Sequence, residues 1–189
     1  LFDFANDSPT PQKLITFQQL LLHKLRNGVR TKLEAAGLLM GFPFDIKLCR
    51  EAPVKDEPDA VFAGKRLGCP GVIYGFVEEQ TNQFKSLVSF TVPSEQPLTD
   101  HASDVSSSDL SSLIQPNQEV GGPYLAFSSF VLGRLHLDAG HTNLAMKCFR
   151  YAQTTAPGSR MAEQSEIILK QVQQNSPAGK LAPVGGPPP

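Results

Sequence analysis

No apolar run in these 189 residues approaches the roughly 20 needed to cross a bilayer. That sets a membrane-spanning helix aside. Charge of one sign is also missing: 17 Lys and Arg face 18 Asp and Glu, for a net charge of −1. The electrostatic footprint of a nucleic-acid binder is therefore absent. Cysteine is scarce, and Cys49, Cys69 and Cys148 make an odd set at no recognisable spacing. This argues against a disulfide framework, with a single Cys49–Cys69 bridge as the lesser alternative to free buried thiols. Free thiols lean towards a reducing, cytoplasmic compartment and leave the periplasm open. No secretory leader pattern is visible, although the chain opens on Leu1 rather than Met, which takes weight from that absence.

What is present is enough apolar material, 40% of the chain, to build a core for one domain or two small ones. Leu1-Phe2-Asp3-Phe4 alternates as a strand does and meets turn residues at Asn6-Asp7-Ser8-Pro9. From Pro11 the period becomes helical: Leu14, Phe17, Leu21 and Leu25 form a stripe continued by Leu22, Val29 and Leu33. Gly37 is the expected end of that helix. Phe44 to Cys49 alternates cleanly and predicts a second strand. Asp56 to Leu67 predicts a short helix stopped by Gly68. Val72 to Val77 is nearly all apolar, as in a strand covered on both faces. Phe84 to Val92 alternates again, so the last two strands pair most simply as a hairpin.

Residues 1–93 thus read as a small α/β layer domain in the order strand, helix, strand, helix, strand, strand. Residues 94–122 are rich in Ser, Asp, Pro and Gln and predict a flexible Ser/Pro-rich linker, because such a stretch buries too little to offset its ordering entropy. Residues 123–175 predict a helical region, and 176–189 a disordered Pro/Gly-rich tail. The fold class expected is α+β.

The most specific stretch lies between Leu132 and Pro157. Leu132, Leu135 and His136 share one face of a first helix, and Gly133 beside them lets a facing helix approach. Gly140 suits the turn, and Thr142 is placed to cap a second helix. On that helix Ala145, Phe149 and Ala152 place one aromatic knob between two small residues, a pattern suited to close helix packing. Pro157 closes the unit. This arrangement resembles the tetratricopeptide repeat, a helix–turn–helix unit of about 34 residues, over about 126–157. Leu132, Gly133, Gly140, Ala145, Phe149, Ala152 and Pro157 stand where that pattern wants them. It departs twice: the usual Trp is Ser129, with Phe130 as substitute, and the usual Tyr is His136. A third helix from Ser159 to about Gln174, with Met161, Ile168 and Val172 in one stripe, opens a second repeat or caps the first.

The opening segment and the run from Gly64 to Val92 also resemble the TolB amino-terminal-like and FlgO-like domains, through Leu67-Gly68, Gly75 and the following hairpin. In bacterial proteins such a domain often precedes tetratricopeptide repeats, which is the order here.

Chemistry is harder to find. His136, Asp138 and His141, with Cys148 beyond, are legitimate metal ligands. But His136 takes a packing position of the repeat and His141 a turn position, so the two should face apart. Gly64-Lys65-Arg66-Leu67-Gly68 lacks the spacing of a phosphate loop. Cys69 lies at a helix end, the wrong end to activate a thiol. His23 has no sequence-local carboxylate partner for a triad. Adjacent Glu78 and Glu79 point to opposite faces. No catalytic residue, metal site or cofactor is expected. The expectation is a non-enzymatic interaction or scaffold module that binds a protein partner, self-association included, through polar positions Ser129, His136 and Asn143. The competing expectation is a ligand-binding or enzymatic α/β domain, marked by a polar pocket near Gly75, with the helices as an accessory arm.

Overall fold

The computed structural model describes residues 2–6, 11–41, 43–47, 54, 56–80, 83–93, 98–107 and 121–175. Helix and strand are mixed in an α+β arrangement. Strand β1 (Phe2–Asn6) is followed by helix α1 (Pro11–Ala35), helix α2 (Glu57–Leu67) and strands β2 (Val72–Gln80), β3 (Gln83–Val92) and β4 (Leu98–Ser107). Helices α3 (Gly122–Asp138), α4 (Thr142–Thr155) and α5 (Arg160–Asn175) complete it. The strands form one sheet in chain order; β1 runs parallel to β2, and the other neighbours are antiparallel.

Local chemistry accounts for most boundaries. Asp56 caps α2 by accepting from the Asp59 N–H at 3.0 Å, and Gly68 ends the helix at φ +62°. Gly37 turns the chain out of α1 at φ +65°. Between them, residues 43–47 bury Ile46, half-bury Phe44 and expose Asp45 and Lys47, which is the alternation of a strand. Yet the strand expected at 44–49 does not appear at 43–47, since no described neighbour supplies a ladder; Leu48 and Cys49 lie outside the described residues.

The sheet is covered on both faces. Val72 and Tyr74 point to α2, packing with Val54, Ala60 and Ala63. Ile73, Val88, Phe90 and Val92 point the other way, into the principal core with α1 and α3. Phe90 meets Tyr124 edge-on at 5.2 Å between ring centroids and Phe127 at 5.1 Å. Tyr74 stands opposite Ser89 in the register. Burial pushes its phenol pKa up; the charge of Glu57 adds to this, and a hydrogen bond with Ser89 opposes it.

One expectation about organisation is corrected here. Residues 98–107, assigned to a flexible linker, form β4 and pair with β3 from Gln83↔Ser107 to Val92↔Leu98. The open edge of β3 supplies an ordering partner that composition alone does not reveal. The helical region packs on α1 and the sheet. One core cluster joins Leu25, Val29 and Leu33 of α1, Phe90 of β3, Phe130 of α3 and Phe149 of α4. The segment at 176–189 lies outside the described residues.

Candidate functional site

Helices α3 and α4 pack as an antiparallel hairpin. Gly133 is a point of close approach: a Cβ there would lie 2.8 Å from Cε1 of Phe149. The Phe149 ring is fully buried and stacks at a tilt on Phe130, 5.7 Å between centroids. Ala145 and Ala152 on either side are also fully buried, and Leu132 nearly so. At the far end Gly122 faces the Thr155 carbonyl with no room for a side chain. Gly140 makes the turn at φ +78°, and Pro157 lies exposed just past the end of α4. Thr142 does not cap α4; His141 holds the cap position without a side-chain bond, and Thr142 is the first helical residue. On α5 the buried stripe is Met161, Ser165 and Leu169, with Ile168 and Val172 at its margin.

The expected partner contacts fare differently. Ser129 is fully buried and donates to the Leu125 carbonyl at 2.6 Å. His136 is fully buried as well, with Nε2 3.0 Å from the Leu38 carbonyl. A carbonyl only accepts, so Nε2 carries the proton and donates. Neither side chain reaches an outside partner. The reason is that α3 is apolar nearly all round, which marks a helix enclosed by its neighbours, here α1, the sheet and α4. Only Asn143 is exposed.

The two histidines do not face apart: their rings lie 5.7 Å apart between centroids, His136 buried and His141 exposed. Cys148 is fully buried, and burial pushes its thiol up to about 12. Among the described residues no group of three or more His, Cys, Asp or Glu is arranged to hold a metal ion. No helix among them is long and apolar enough to cross a membrane. Cys69 is half-buried, its thiol 3.8 Å from the Leu67 carbonyl.

What the structure does offer is a groove of about 180 Å³ where the two halves of the fold meet. One wall is α3, through Phe127, Val131 and Leu135; the other is the 43–47 segment, with the Cys69-Pro70-Gly71 turn closing one end. Gly71 presses on α3 so closely that a Cβ would come within 2.7 Å of Phe127 Cζ. Asp45 on the rim is engaged by Arg26 at 2.7 Å. The periodicity of α3 signalled Leu135, but nothing local in the sequence linked it to the 43–47 segment. The packing of distant segments makes the groove.

No family model, no curated protein and no solved structure matches this chain.

Proposed function

We propose that the chain is a non-enzymatic interaction module that receives a protein partner in the groove between α3 and the 43–47 segment. The observation that carries this is the lining: Phe44, Ile46, Phe127, Val131 and Leu135 make it apolar, and Asp45 and Lys47 edge it. Small-molecule pockets usually span about 300–1,000 Å³ and hold a few convergent polar groups. At about 180 Å³ the groove falls below that range, and it is not the polar pocket near Gly75 that an enzymatic or ligand-binding domain leads one to expect. A small apolar groove with a polar rim suits a partner's side chains.

The resemblance to the tetratricopeptide repeat supports the same reading. In this proposal the hairpin of α3 and α4 acts as a rigid wall: Gly133 and Phe149 fix α3, and α3 presents Val131 and Leu135. The peptide-binding surface is therefore the edge of α3, and not the face bearing Ser129 and His136.

The test is capture from the source cell with the wild-type chain and with Val131→Glu and Leu135→Glu, identified by mass spectrometry. Both positions are half-buried, so each variant can be checked for an unchanged melting curve first. Partners that the wild type retains and both folded variants lose support the groove. Retention by both variants sinks it.

A further inference from the structure

The groove has a feature that its apolar lining does not explain. Among the described residues no backbone hydrogen bond involves residues 44–47, although their side chains alternate between buried and exposed as a strand's do. Unpaired N–H and C=O groups along an extended segment are a template on which another chain can pair. Lys47 is exposed and has no ion pair among the described residues, whereas the neighbouring Asp45 is neutralised by Arg26 at 2.7 Å. The rim thus shows one compensated carboxylate and one uncompensated ammonium.

We infer that the 43–47 segment is a docking strand: it pairs, main chain to main chain, with an extended peptide segment of a partner protein. That peptide carries apolar side chains at alternate positions, directed into the groove, and an Asp or Glu opposite Lys47. The inference rests on the interaction reading above and specifies its ligand. The physical reasons are independent of one another. An added strand satisfies the N–H and C=O groups of alternate residues along one edge of 44–47, which is the source of affinity when a peptide extends a β structure. Side chains alternate on a strand, so every second residue faces α3. Lys47 then finds the counter-charge that the described residues do not give it, contributing to orientation more than to affinity. A helical ligand would fill the groove but leave the backbone groups as they are, so the extended form is favoured.

The experiment is a selection from a displayed library of random peptides on the full chain, followed by measurements with the enriched peptides. The expected result is enrichment of sequences alternating apolar and polar residues with a carboxylate. On binding, amide exchange should slow at alternate residues of the segment, Phe44 and Ile46 or Asp45 and Lys47, according to the edge that pairs. N-methylation of alternate peptide amides should weaken binding about tenfold or more, as loss of hydrogen bonds near 1 kcal/mol each requires. Lys47→Glu should weaken it about fivefold. Enriched peptides that bind undiminished after N-methylation, or that are helical when bound, overturn the docking strand and leave the interaction reading standing. No enrichment overturns both. Slow exchange at 44–47 before any peptide is added also overturns the proposal: independent of concentration, it means that another segment of the same chain fills the groove; if dependent, that a second copy does.

Discussion

At Gly133 a single missing side chain sets how near α3 and α4 come. A leucine there must displace the Phe149 ring, which is fully buried and has nowhere to go. Gly133→Leu is expected to cost about 1–3 kcal/mol by overpacking, and Phe149→Ala about 3–5 kcal/mol by leaving a cavity. Urea unfolding of each variant checks both, and a Gly133→Leu midpoint equal to wild type would contradict the packing. The thiols give a second prediction at this scale. In a Cys49→Ser background, Cys69 should react readily with a thiol reagent near neutral pH, and Cys148 only when the chain unfolds. Burial raises the Cys148 pKa from 9.0 to about 12, so the folded state favours the neutral thiol. Its contribution to stability is therefore complete below about pH 8.5 and is lost as pH rises towards 12. Rapid labelling of Cys148 in the folded chain would contradict its burial.

Among the elements, the ones best read from sequence are those with their own local signals. Asp56 and Gly68 bracket α2, Gly37 ends α1, and the alternation of β3 survives in the structure as Val88, Phe90 and Val92 on one face. Two were missed for opposite reasons. Residues 98–107 carry little apolar signal and order because β3 offers an edge. Residues 43–47 carry a clear strand signal and stay irregular because no described segment lies alongside to receive it. Strand formation requires a neighbour, and a neighbour is not a local property. Hydrogen exchange tests the first of these: amides of 98–107 that pair with β3 should exchange far more slowly than those of a free linker. Linker-like rates across 98–107 would remove β4 from the sheet.

For the whole molecule, what the sequence concealed was enclosure. The spacing of Leu132, Gly133, Ala145, Phe149 and Ala152 was legible as a hairpin, but not that α3 would be surrounded. Its near-continuous apolar run, from Tyr124 to Phe130 and on to Gly133, was the available clue. Because α3 meets α1, the sheet and α4 at once, Ser129 and His136 became core residues, while the seam beside Val131 and Leu135 stayed open. The groove therefore exists only if both halves of the fold share one core.

Native-state hydrogen exchange in rising urea reads that sharing directly. Amides of β2 and β3 and those of α3 and α4 are expected to converge on one opening free energy, as one cooperative unit does. If α3, α4 and α5 instead open together at lower urea while the sheet keeps its protection, the shared core is contradicted, and with it the groove.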